Sequence, residues 1–321
     1  MTPMRRLVVA FALLSLILSA CGSASTPAPT AELVTLRLAV IPVIDTLPMF
    51  VAQAEGLYAR HGVNAKLVPV ASAPERDQLL QAGQAEGTLN EILSVMFFNK
   101  EKVQMQAVRY GHMASEGAGH FFILASGQSG IRDVPGLKGV EIGISQGTII
   151  EYVTDRLLEA NGLAAAKIKY LAVPKIPDRM ALLASGELKA GVMPDPLAAL
   201  AVQQGSKIIL DDTSNPKLGA SVISFRQEVI ARQPKAIKAF LAAIEEAVGM
   251  INSAPSKYSG LLAEKKIVPQ PLISSYIVPK FPSRGAPTEA EWSDVLAWAK
   301  AKGLLTANIS YHDSVNSTLL P

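Results

Sequence analysis

The chain has 321 residues, 49% of them apolar, with 30 basic and 27 acidic side chains and a single cysteine. That apolar fraction lets two domains of ordinary size each bury a core, and one cysteine excludes an internal disulfide. Residues 1–20 hold two arginines and no acid, so without them 28 bases face 27 acids, a net charge of +1. A nucleic-acid surface needs clustered excess positive charge, which this balance argues against.

Residues 1–20 read as a signal peptide. Arg5 and Arg6 form a basic start, Leu7 to Leu18 an apolar run too short for a comfortable span, and Leu18-Ser19-Ala20-Cys21 a cleavage site. The LSAC run followed by Gly22 resembles a bacterial lipobox, which implies lipid on Cys21. An ordinary secretory peptide cut near Ala20 or Ala24 is the alternative. Lipidation gives the lone exported cysteine a role. Residues 21–31, CGSASTPAPTA, are small, polar and proline-bearing, as a flexible tether would be. No second long apolar run follows, so nothing else is expected to span a membrane.

The folded part opens on Leu36 to Val63. Leu36, Leu38, Val40 and Ile41 suit a buried strand ended by Pro42. A loop over 43–47 carries Asp45 and Thr46. Pro48 suits the first turn of a helix, and Gly62 its left-handed stop. Asn64 to Val70 reads as the next strand. Strand, loop, helix, strand implies a parallel sheet with a right-handed crossover, and ligands of such sheets sit beyond the carboxyl ends of the strands.

The pattern A-x-x-x-G-L-Y-x-x-x-G-V from Ala52 to Val63, between two strands, resembles the opening of periplasmic solute-binding proteins of ABC importers. The subgroup is the one serving nitrate, sulfonates, taurine and thiamine-pyrimidine precursors, and the likeness runs from about Leu36 to Leu305. It implies an α/β, two-lobed type II periplasmic-binding-protein fold, each lobe a mainly parallel sheet flanked by helices, with two hinge crossings. The expected division is 32–125 plus 214–321 for the first lobe and 126–213 for the second.

Further along, residues 74–81 read as a short helix closed by Gly83. QAGQAEGTLNEIL, from Gln81 to Leu93, resembles the family's turn into a third strand, with Glu86 where an Asp is usual. Thr88 to Glu91 are expected as a cleft loop before a helix over 92–98. Glu91 either complements that helix's dipole or contacts ligand; Asn90 is a cap, a ligand donor or both. Residues 103–110 read as a strand. His112, Glu116 and His120 fall four apart, a metal spacing on a helix, but Gly117 and Gly119 oppose a helix there, so no metal is expected. Nor is a nucleotide loop: the glycine pair lacks a third and precedes a strand over 121–125.

GIRDVPGLKGVEIGISQGT, Gly130 to Thr148, again resembles the family, with a strand over 140–145 and the turn Gln146-Gly147-Thr148 before an amphipathic helix over 149–160. N–H groups at 148–150 would face the cleft. The run Ala184 to Ala201 resembles the family's following strand and acidic loop, here Pro194-Asp195-Pro196. Asp195 is a helix cap or a ligand contact. A last strand is expected over 207–210, a second crossing over 211–219 and a returning strand over 221–225. Ile237, Phe240, Leu241, Ile244 and Val248 form the buried stripe of a helix over 234–251, and 258–266 reads as another helix. Thr288 and Glu291 form a capping box for a helix to about 302, with Trp292 and Trp298 as core.

No catalytic set is visible: no Gly-x-Ser-x-Gly, no His-Glu-x-x-His, and four scattered histidines. The resemblance implies a monomeric, lipid-anchored, extracytoplasmic binder without cofactor, working with ABC permease and ATPase subunits. The expected ligand-binding set is Asp45, Thr46, Asn90, Glu91, Gln146, Gly147, Thr148, Tyr152, Pro194 and Asp195. Tyr152, Phe50 and Phe97 serve either as stacking surface or as core. Three acids and no base on these loops favour a donor-rich neutral or cationic ligand, such as a thiamine pyrimidine or a flavin. A sulfonate, taurine or nitrate is the alternative, and a surface scaffold lipoprotein a third possibility.

Overall fold

The computed structural model describes residues 32–321. The signal peptide, the tether and Cys21 lie outside the described residues. Ten strands follow in order: β1 (Thr35–Val40), β2 (Asn64–Pro69), β3 (Gly87–Glu91), β4 (Met105–Tyr110), β5 (Phe121–Ala125), β6 (Glu141–Ile144), β7 (Lys169–Ala172), β8 (Ala190–Pro194), β9 (Lys207–Asp211) and β10 (Ser221–Arg226). They form two sheets of five, ordered β2-β1-β3-β10-β4 and β7-β6-β8-β5-β9.

The sheets repeat one design. β1 is parallel to β2 and β3, and β6 is parallel to β7 and β8. In each sheet one strand runs against the rest: β10 between β3 and β4, and β5 between β8 and β9. Each reversed strand is the one by which the chain arrives from the other sheet. This corrects the expected boundary at 125. Phe121 to Ala125 belong to the second sheet, so the crossings are residues 111–120 and 212–220. An apolar strand that closes one lobe has the same local pattern as one that opens the next; only its pairing separates them.

Helices cover the sheets. α1 (Leu47–Ala54) has Pro48 in its first turn, and α2 (Leu57–Arg60) follows. The single helix expected here is two, because Gly56 takes a left-handed φ of 67° between them. α3 (Ala73–Gln81) and α4 (Ile92–Asn99) complete the first half; α5 (Ile149–Ala160), α6 (Ile176–Ser185) and α7 (Leu197–Gln203) flank the second sheet. α8 (Gln227–Arg232), α9 (Pro234–Ser253) and α10 (Ser259–Glu264) follow. The expected stripe of α9 is buried, packed with Met49, Phe50 and Tyr58.

α11 (Glu289–Ala301) begins with the Thr288–Glu291 capping box. It is not confined to the first lobe. Tyr110 beside β4 donates to Glu291 at 2.7 Å, whereas on α5 Tyr152 donates to Asp294 at 2.6 Å and Asp155 accepts from Trp298 Nε1 at 2.7 Å. Trp292 and Trp298 are buried. α12 (Tyr311–Ser314) returns to the first sheet, where Ser314 accepts from Asn99 at 2.9 Å. Among the described residues no helix is long and apolar enough to cross a membrane.

Candidate functional site

The two crossings are bonded to each other at both ends. On the first-sheet side Gly111 N–H donates to Ser221 O at 2.7 Å and Ser221 N–H to His112 O at 2.8 Å. A Cβ on Gly111 would lie 2.5 Å from Leu89 Cδ1 and 2.8 Å from Ser221 Oγ, so a larger residue would have to displace these side chains. On the second-sheet side Asp212 Oδ1 accepts from the N–H groups of His120 at 2.7 Å and Phe121 at 3.1 Å. Between these clasps lies a buried polar cluster.

Asp45 reaches the cluster from the short 3₁₀ turn after β1, Ile44–Thr46. Its Oδ1 lies 3.2 Å from His120 Nε2, with both side chains at most 5% exposed. The His112 and His120 rings are 4.9 Å apart, and His112 rests on Phe281. From the other sheet Asp195 follows β8; its N–H donates to His120 O at 2.9 Å, and its carboxylate accepts from the hydroxyl of Tyr276. Asp45 and Asp195, the acids expected from the two lobes, thus meet at the hinge histidine.

The electrostatics follow from burial and pairing. Burial alone would raise Asp45, but the neighbouring His120 and His112 hold it well below the usual carboxylate range. Burial opposes a charged His120, yet Asp45 lifts it to about 9. His112, with burial and His120 both against its cation, falls to about 3. Burial pushes Asp195 up to about 6 and raises Asp212. Nδ1 of His112, Nδ1 of His120 and Oδ2 of Asp212 are buried without a protein partner.

The other expected site residues have different duties. Thr46 donates to Val43 O at 2.7 Å, within its own turn. Thr88 to Glu91 form β3 rather than a loop, because their polar side chains find partners inside: Thr88 donates to Ala39 O at 2.7 Å, and Asn90 accepts from Ser224 on β10 at 2.7 Å. Glu91 precedes α4 without capping it by its side chain and pairs with buried Arg76 at 3.2 Å. Gln146 is exposed. The N–H groups expected to face the cleft are partly spent: Ile150 donates to Thr148 Oγ1 and Gly147, at φ 69°, to Glu151. Tyr152 is 3% exposed against Trp298 and Asp294, and Phe50 is buried in the first core. Phe50 is core, whereas Tyr152 also lines a cavity of about 230 Å³ with Ile149, Lys217 and Asp294.

Pro194 ends β8 opposite Phe121. Pro196 occupies the cap position of α7, so Asp195 is not that helix's cap. The members missed by sequence reasoning are Asp212, Ser221 and Tyr276, while His112 and His120 drew notice only for metal spacing. Glu116 is exposed, and no group of three metal-ligating side chains stands together among the described residues.

A cavity of about 380 Å³ lies between Pro42–Val43 after β1 and Pro196–Leu197 after β8, closed by residues 263 and 266–270. Its lining is apolar except for Lys266 and Gln270. Lys266 takes a left-handed φ of 55°, where glycine is usual after a helix.

Two sheets of one topology, two clasped crossings and a polar cluster between the strand ends define a two-lobed clamp of the periplasmic-binding-protein class. Residues 29–259 match the model of the NMT1-like family, and the chain belongs to that family. It is 27% identical over 171 residues to a putative aliphatic sulfonates-binding protein of Escherichia coli K12. That match spans 53% of each chain, so it covers about half the length of this relative. The fold is similar to that of the alkanesulfonate-binding protein SsuA from Xanthomonas axonopodis pv. citri bound to MOPS, with TM-score 0.73 and 17% identity over 89% of this chain and 99% of that one. It is also similar to the periplasmic nitrate-binding protein NrtA from Synechocystis, with TM-score 0.69 and 16% identity over 90% and 87% of the two chains.

Proposed function

We propose that this chain is the extracytoplasmic substrate-binding component of an ABC importer, a monomeric clamp tethered through lipid on Cys21 that delivers a small solute to permease and ATPase subunits. The observation that carries the reading is the meeting of Asp45, His120 and Asp195 between the two strand edges, with a cavity between the loops that follow β1 and β8. Ligands of α/β sheets sit at such edges. The reading is of a binder, not a catalyst.

The ligand favoured is a small organic anion such as an alkanesulfonate. Asp45 and Asp195 are spent on His120 and Tyr276. The ground for a cationic or donor-rich vitamin was unpaired carboxylates, and these two are paired. An apolar cavity at the strand edges suits the alkyl chain of such a ligand.

One preparation tests both parts. Full-length protein made in a bacterial host should fractionate with membranes, and Cys21→Ser protein should be soluble. Native mass spectrometry of that soluble variant with millimolar butane-1-sulfonate should show a single 1:1 adduct. Soluble wild-type protein contradicts the anchor; no adduct with any alkanesulfonate contradicts the ligand class.

A further inference from the structure

Three arginines are almost fully buried: Arg76, Arg109 and Arg179. Two are paired with acids. Arg76 meets Asp77 at 2.8 Å and Glu91 at 3.2 Å, and Arg109 meets Glu245 at 2.7 Å. Arg179, 0% exposed, forms no salt bridge among the described residues. A buried guanidinium without a counter-charge is costly, and burial pulls it down only to about 10, so it stays charged at neutral pH.

The surrounding chain accommodates it. Arg179 lies in the first turn of α6, and its stem runs over two glycines of the second sheet. A Cβ on Gly143 of β6 would lie 3.4 Å from Arg179 Cδ, and one on Gly191 of β8 3.5 Å from its Cγ. The head is fixed at the carboxyl edge. Nη1 donates to Ser145 Oγ at 3.2 Å and to Val173 O at 3.0 Å, and these residues directly follow β6 and β7. Nε and Nη2 have no partner. Those two donors form one side of the guanidinium fork, the geometry that takes two oxygens of an oxyanion at once. Met180, the next residue, packs against both the core built mainly by the first lobe and a small core of the second, which brings this part of α6 beside the first lobe.

We infer that Arg179, oriented by Ser145 and Val173, is the anion-recognition residue of the second lobe, and that its Nε and Nη2 receive the oxyanion group of the ligand. The class is set by the fork: a sulfonate, carboxylate or phosphate. This rests on the binding-protein reading above and fixes where in the cleft the charged head lies.

The test is calorimetry on the soluble Cys21→Ser chain with butane-1-sulfonate, valerate and inorganic phosphate, with riboflavin as a neutral-ring control. Arg179→Met keeps the stem and removes the charge. Removing an unpaired buried cation should leave the thermal midpoint unchanged or higher. The same variant should lose at least tenfold in affinity for the oxyanion that binds. Arg179→Lys keeps the charge without the fork and should also lose at least tenfold, which preserves the test if the methionine variant does not fold. Unchanged oxyanion affinity in either variant overturns the inference. Wild-type protein that binds riboflavin and no oxyanion overturns it while sparing the binding-protein reading. Wild-type protein that binds none of the four overturns both.

Discussion

Replacing His120 with alanine is expected to lower stability by about 3–5 kcal/mol, because it leaves the carboxylate of Asp45 buried without its counter-ion. Chemical denaturation of His120→Ala against the parent chain measures this. Adding Asp45→Asn should restore much of the loss, since the stranded charge is then gone. The pH dependence has a definite sign. His120 moves from its ordinary 6.5 to about 9 in the folded chain, so its stabilisation is full below pH 6.5 and disappears as pH rises through 9. His112 moves down to about 3, so its effect appears only as pH falls below 6.5. Burial raises Asp195 from 3.8 to about 6, which costs stability between those values. Of the cluster's resolved titrations, only His120's therefore spans pH 6.5 to 9. Wild-type protein should lose stability across that window and His120→Ala should not. Equal slopes for the two would show that the pair carries no charge.

Tyr276→Phe should weaken ligand binding about ten- to a hundredfold without touching the ligand. Tyr276 lies on a segment held to the first lobe: Phe281 N–H and O exchange bonds with Asn252 at 2.9 Å, and Pro282 O accepts from Arg109 at 2.8 Å. Its hydroxyl donates to Asp195 at the end of β8 in the second lobe, so the bond ties the two lobes together. At pH 7.5 Asp195 is ionised, and a hydrogen bond to a charged group contributes about 1.5–3 kcal/mol. Losing it lowers the closed population, and the apparent affinity with it, by tenfold per 1.4 kcal/mol. Calorimetry on the phenylalanine variant checks this. An unchanged dissociation constant with a lowered denaturation midpoint would make the bond a structural contact only.

Local physics made much of the fold legible. Pro48 in the first turn of α1, the stripe Ile237–Val248 of α9, and Thr288 with Glu291 at the start of α11 each act within a few residues, and each stands where the chain pattern puts it. What was hidden depends on distant partners. Asn90 looks like a loop residue until Ser224, 134 residues on, receives it inside the sheet. Asp45 looks like a free acid until His120, 75 residues on, pairs with it. The same holds for β5, whose sheet is decided by β8 and β9. Arg179 is the extreme case: what marks it is the absence of an acid beside a buried cation, and no local pattern encodes an absence.

The claim on which the rest depends is that two lobes joined by two crossings close on a small solute. Small-angle scattering of the soluble Cys21→Ser chain tests it directly. With saturating butane-1-sulfonate the radius of gyration should fall towards the compact value for about 300 residues, about 19 Å, and Tyr276→Phe should need more ligand to reach it. A radius that stays fixed while calorimetry shows the sulfonate bound would contradict the clamp.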